Sequence, residues 1–171
     1  MGRKLLWFLV VMLGVEIGAG LYEARVLVPL WSRSAPESLV AYNTQSLRPN
    51  PGFTFWMIST PLTGLVSLIN LVFAWRAKGP TRRFWLGGAM ATLIVFAVTF
   101  LYFVPELRAF QALRDAGAAD MAGRVQRWVT LNWVRAVVYV AAWLSLLHAY
   151  ANGAGVVIAA VAAPANRPTG S

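Results

Sequence analysis

Three ionisable residues stand inside or beside long apolar runs: Glu16 in the run 5–22, Glu23 just past its end, and Arg135 in the run 128–150. A carboxylate can move a proton and a guanidinium can hold an oxyanion, so the set has the makings of acid–base chemistry on a ligand. The same residues can instead form a salt bridge that only sets helix register. Both readings start from one cost. A charge at the centre of an apolar membrane helix costs about 2.5–3.5 kcal/mol, so such a group is paired, neutralised or used.

Each of these residues belongs to a polar stripe at helical spacing. Glu16, Gly20 and Glu23 share a face, as do Thr60, Thr63, Ser67 and Asn70. Thr92, Thr99 and Glu106 form a third stripe, and Trp128, Asn132, Arg135 and Tyr139 a fourth. Four such faces escape lipid only by turning towards one another, which predicts an all-α transmembrane four-helix bundle with a partly polar interior.

Depth decides which charges can meet. At about 1.5 Å per residue, Glu16 lies roughly 16 Å and Glu23 roughly 27 Å from the N-terminal edge, while Arg135 lies roughly 10 Å inside the opposite edge. Helical side chains lean towards their own N-terminus, so Glu23 and Arg135 on antiparallel helices lean together. A Glu23–Arg135 pair is therefore expected, with Asn132 and Glu106 near it and Glu16 leaning away towards Ser67 and Asn70. The candidate catalytic residues are Arg135, Glu23 and Glu106. The candidate pocket or helix-docking residues are Glu16, Tyr22, Asn132, Trp128, Ser67 and Tyr139. With no cysteine and the single His148, no metal site and no cofactor is expected.

The composition places these residues in a membrane. Of the 171 residues 58% are hydrophobic and only 12% charged, against about 45–50% and about 25% in soluble domains. Four runs are long enough to cross the bilayer: about 5–22, 54–75, 84–104 and 128–150. Trp7, Trp75, Trp85 and Trp143 fall towards one edge of these runs, and Trp56, Trp128 and Trp133 towards the other, as in an aromatic belt. The Gly14-x-x-x-Gly18 spacing predicts helix packing. The net charge of +9 resides mainly in short clusters flanking the spans, which argues against nucleic acid.

Six cations with no acid (Arg3, Lys4, Arg76, Lys78, Arg82, Arg83) crowd the N-terminus and the 76–83 turn, predicting that both termini face the cytoplasm. The first run exceeds a signal peptide's apolar core of about 7–15 residues, and no clean cleavage site follows it. Between the first two spans, Ser34-Ala-Pro-Glu37 has capping-box spacing and predicts a short helix. After the third span a helical extension is expected from Glu106 to Ala116, broken at Gly117, with Asp120 capping the fourth helix. Residues 152–171 are expected to form a disordered tail.

Val104-Pro105-Glu106-Leu107 closing the third span, Trp128-x-x-x-Asn132-x-x-Arg135 opening the fourth, and Leu21-Tyr22-Glu23 followed by Pro29 resemble the DUF1772 / anthrone oxygenase-like membrane proteins over about residues 5–150. That resemblance implies a four-helix membrane fold, and cofactor-independent oxygenation of anthrones in its fungal members. Where the family often has asparagine two residues after the third-span proline, this chain has Leu107.

Two function classes stay open, and the sequence favours the first. One is a structural or accessory subunit docked in a larger membrane complex or a homo-oligomer of the inner (plasma) membrane. The other is an oxidoreductase acting on a hydrophobic aromatic molecule in an outward-facing pocket, with Arg135 stabilising a phenolate-like anion and Glu23 or Glu106 moving a proton. Four spans without an internal repeat disfavour a transporter.

Overall fold

In hydrocarbon a chain must satisfy its backbone groups internally, and long apolar runs do so as helices. The computed structural model describes residues 2–45, 51–113 and 120–162, with side chains at all of these except 45, 51, 53 and 154–162. Among the described residues every regular element is helical. Helix α1 runs Gly2–Ser32, α2 Glu37–Gln45, α3 Pro51–Arg76, α4 Arg82–Ala112 and α5 Met121–Ala162. Four of them are long and apolar enough to cross a membrane, over Gly2–Ser32, Thr54–Arg76, Arg82–Ala112 and Met121–Gly153, and the protein is a multi-pass membrane protein.

The spanning helices form a ring in which α1 and α4 each pack against α3 and α5. Outward faces carry large apolar side chains such as Leu65, Trp75, Ile94, Leu101 and Val137, as lipid contact requires. The polar stripes point inward: Glu16, Thr60, Thr63, Ser67, Asn70, Thr92 and Asn132 are all buried. Two apolar clusters close the ends of the interior. Near the α3–α4 turn, Leu6, Leu9, Leu13, Val66 and Leu146 pack together. At the opposite end α2 lies over Val28, Trp31, Phe103, Phe110, Val125 and Trp128, with its own Leu39 in the cluster.

The tightest helix approaches are not at the Gly14–Gly18 spacing. A Cβ on Gly18 would meet nothing within 4 Å, and one on Gly14 would make ordinary contact with Trp143 at 3.6 Å. The crowded positions are Gly88, where a Cβ would lie 2.6 Å from Leu146 and 3.0 Å from the Ala142 carbonyl, and Gly64, 2.5 Å from the Phe96 ring. Glycine at these two positions lets α4 reach α5 and α3.

Helices α1 and α4 share a local device. Each contains a π turn, Glu23–Leu27 in α1 and Thr99–Phe103 in α4, and each turn is followed by Val-Pro. The Val28 N–H bonds the Glu23 carbonyl and the Val104 N–H bonds the Thr99 carbonyl, five residues back in both cases. Proline lacks an N–H and its ring clashes with the carbonyl four residues earlier, and widening the preceding turn relieves both problems without breaking the helix. Proline therefore does not end the first helix: α1 continues past the apolar run 5–22 to Ser32.

Other expectations at the ends are also corrected. The Ser34 N–H bonds the Ser38 hydroxyl at 3.3 Å, which itself donates to the Trp31 carbonyl at 2.8 Å, so Ser38 organises the start of α2 in place of a Ser34–Glu37 box. Helix α4 ends at Ala112, where Leu113 turns extended (ψ 129°), short of Ala116; the expected break at Gly117 lies outside the described residues. Asp120 has φ 58° and its backbone carbonyl, 3.1 Å from the Arg124 N–H, opens α5. That helix continues to Ala162, so the first part of the expected tail is helical, and 163–171 lie outside the described residues.

Candidate functional site

Between the two apolar clusters the stripes enclose a cavity of about 350 Å³, lined by all four spanning helices. Helix α1 contributes Glu16, Gly20 and Glu23, one face at i, i+4 and i+7. Helix α3 contributes Trp56, Thr60 and Pro61, α4 Val95, Thr99 and Phe103, and α5 Trp128, Asn132, Arg135 and Tyr139. The π turns place Glu23 and Thr99 on its wall, so the two widened backbones both border the same space.

The Arg135 guanidinium donates from Nη1 to the Thr99 hydroxyl at 3.4 Å and lies 4.4 Å from the centre of the Phe103 ring. Thr99 in turn donates to the Val95 carbonyl at 2.7 Å. Glu16 is buried, accepting from the Thr63 hydroxyl at 2.8 Å and from the Tyr139 hydroxyl at 3.4 Å. Glu23 has the Trp56 indole beside its carboxyl group. The Trp128 indole N–H donates to the Phe103 carbonyl at 3.3 Å and its ring stands edge-on to Trp31 and Phe103, so this tryptophan is core and cavity wall, not belt. Asn132 is buried on the wall and its Oδ1 has no hydrogen-bond partner.

A smaller cavity of about 70 Å³ continues under α2 and shares Glu23 and Trp128 with the larger one. Asn43 of α2 donates to the Phe110 and Leu113 carbonyls at 2.8 and 3.0 Å, satisfying acceptors at the end of α4 and fastening α2 over this end.

The structure thus brings Glu16, Glu23, Trp128, Asn132, Arg135 and Tyr139 to one cavity and leaves three candidates elsewhere. Among the described residues no ion pair joins Glu23 to Arg135. The expectation took straight α-helices, whereas Glu23 opens a π turn and Arg135 is held by α4. Glu106 pairs with Arg124 through two bonds of 3.0 and 3.1 Å and lines neither cavity. Tyr22 is 58% exposed on the outer face. Ser67 is buried within the helix packing, and Glu16 turns to Thr63 and Tyr139 instead of to Ser67 and Asn70. Asn70 ties α3 to α1 and α4, donating to the Leu5 carbonyl at 3.2 Å and accepting from the Trp85 indole at 3.1 Å.

Phe103 is a wall residue that sequence reasoning did not single out, and Trp56, expected in the aromatic belt, lines the cavity as well; the proline two residues after Phe103 is the signal that a π turn presents it. His148 stacks against Phe84 at 4.3 Å near the α3–α4 turn, far along α5 from the cavity wall. Among the described residues no group of three His, Cys, Asp or Glu side chains comes together to hold a metal ion.

A family model described as anthrone oxygenase matches residues 53–145, more than half of the chain, covering α3, α4 and the cavity-lining part of α5. No curated protein and no solved structure matches the chain.

Proposed function

Since the chain belongs to the anthrone oxygenase family, we propose that its cavity binds a hydrophobic aromatic substrate and oxidises it with dioxygen. The observation that carries this reading is Arg135, a cation on the wall of a 350 Å³ cavity with no carboxylate bonded to it among the described residues. A guanidinium so placed is available to a developing oxyanion. Glu23, on the same wall, is the carboxylate that takes the proton from the activated carbon or hydroxyl. For an anthrone the balance is a methylene and dioxygen going to a carbonyl and water, with the ring system supplying the electrons. Leu21, Met57 and Phe100 border the cavity and are also exposed on the outer face, which suits a substrate arriving through lipid.

A second reading, an accessory subunit of a membrane complex or a homo-oligomer, draws on bonds such as Thr63–Glu16, which hold helices together without a ligand. Residence in an inner (plasma) membrane with both termini cytoplasmic is part of either reading, on the density of cations at the α3–α4 turn.

The test is to supply an anthrone in air to the protein in lipid nanodiscs and follow oxygen uptake and quinone absorbance. Acceleration over protein-free nanodiscs that is lost in Arg135→Gln is expected. No acceleration, together with a stoichiometric protein partner in native mass spectrometry after mild solubilisation, would favour the accessory subunit.

A further inference from the structure

The end of the bundle at the α3–α4 turn carries Arg3, Lys4, Arg76, Lys78, Arg82 and Arg83, and no acidic residue occurs in 1–15, 38–105 or 121–171. All of these cations except Arg82 are exposed, and among the described residues none is paired with a carboxylate. Three of them lie over aromatic rings instead: Arg3 5.1 Å from the centre of Tyr150, Arg82 5.9 Å from Trp75 and Arg83 4.9 Å from Phe84. The same rings draw three helices to one corner. Phe84 of α4 stacks on His148 at 4.3 Å, and two residues further along α5 Tyr150 stacks on Trp7 of α1 at 5.2 Å. Gly2 lets the start of α1 reach α4, since a Cβ there would lie 3.1 Å from the Trp85 ring. An aromatic face orients a guanidinium without occupying its N–H donors, so these cations keep their forks for an anion.

We propose that this corner binds the headgroup of an anionic phospholipid, with Arg3 and Arg83 on the phosphate oxygens. The surroundings select a lipid over a soluble anion. Trp75 is 69% exposed and Trp7 49%, and tryptophans beside arginines at the end of a spanning helix mark the depth of the headgroups. Trp7 and Val11, exposed one helical turn apart on α1, offer an apolar bed for an acyl chain descending from the headgroup. Exposed cations with no acid near them gain about fivefold in affinity for an anionic membrane surface per side chain. None of these residues lines the four-helix cavity, so the inference stands apart from the proposed reaction.

The experiment reconstitutes the full chain in phosphatidylcholine nanodiscs and titrates in acyl-brominated phosphatidylglycerol or phosphatidylcholine, reading the quenching of tryptophan fluorescence. Wild type is expected to reach half-quenching at a roughly tenfold lower mole fraction of phosphatidylglycerol. Arg3→Gln/Arg83→Gln should bring the two lipids together. Arg25→Gln/Arg33→Gln, which removes the same charge from exposed positions nearer the opposite end, should leave the preference intact. The preference of wild type should also collapse in about 1 M salt, where the screening length falls to about 3 Å; this arm decides the matter even if a variant fails to fold. Equal quenching of wild type by both lipids overturns the proposal, as does a preference that survives high salt or the Arg3/Arg83 substitutions. Equal loss in the Arg25/Arg33 variant overturns it in favour of net charge alone. Abolition of the preference by inorganic phosphate at constant ionic strength overturns the lipid as the occupant and assigns the corner to a soluble phosphate.

Discussion

Arg135 and Thr99 face each other across the α4–α5 interface, with guanidinium Nη1 3.4 Å from the hydroxyl oxygen. Thr99 is the first residue of a π turn and Phe103, over whose ring the guanidinium also lies, is the last. The cation is therefore oriented by a hydroxyl and an aromatic face, groups that leave its positive charge available to a ligand. The turn that presents both exists because Pro105 follows two residues later.

Arg135→Lys keeps the charge but loses the planar fork and its fit over Phe103. The variant is expected to fold and to bind or turn over an aromatic substrate about 10–100-fold less well, the worth of a charge-assisted hydrogen bond. Binding isotherms alongside melting curves would check this; unchanged binding would remove Arg135 from the site.

Glu16 accepts hydrogen bonds from hydroxyls on two helices, α3 and α5. Glu16→Gln retains an acceptor oxygen and should be mild, under about 1 kcal/mol. Glu16→Leu strands the buried Thr63 hydroxyl and should cost about 1–3 kcal/mol, with part of the loss recovered in Glu16→Leu/Thr63→Val. Thermal stability of the four proteins in one detergent tests the ordering.

Glu106 and Arg124 have side chains 23% and 37% exposed, so their ion pair is partly solvated. Glu106→Gln should cost no more than about 1 kcal/mol, and raised salt should shrink the difference. Substrate affinity should be unaltered, because Glu106 borders neither cavity. A loss of affinity would return Glu106 to the candidate catalytic set.

Asn43→Ala removes the two bonds from α2 to the end of α4. The expected loss is about 1–3 kcal/mol, with amides of 37–45 exchanging faster than those of the spanning helices. Equal protection of α2 in the variant and wild type would show that its apolar contacts with Trp31 and Phe110 suffice.

The orientation is open to direct labelling. Cysteines placed at Lys78 and Ser171 should resist a membrane-impermeant thiol reagent in intact cells, while one at Ser46 should react. The native chain has no cysteine and gives no background. Labelling at Ser171 but not at Ser46 would invert the topology.

Much of the architecture was legible without coordinates, because membrane burial leaves so few options. Apolar runs of spanning length must be helices, and a stripe such as Thr60, Thr63, Ser67 and Asn70 can only face inward, where all four residues are found. The motif residues Trp128, Asn132 and Arg135 share one face of α5 by their spacing, and that face lines the cavity. Tertiary structure alone decided the partners. Helical spacing places Glu23 and Arg135 on facing stripes but cannot say whether they touch, and two π turns ahead of Pro29 and Pro105 re-aim the side chains around them. Gly64 and Gly88 became visible as close-packing points only once Phe96 and Leu146 were seen against them, since nothing in a glycine's own neighbours reveals which helix comes near. Glu106 likewise was expected near the Glu23–Arg135 pair, and only the structure shows Arg124 of α5 meeting it instead, because ion pairing depends on how separate helices come together in space.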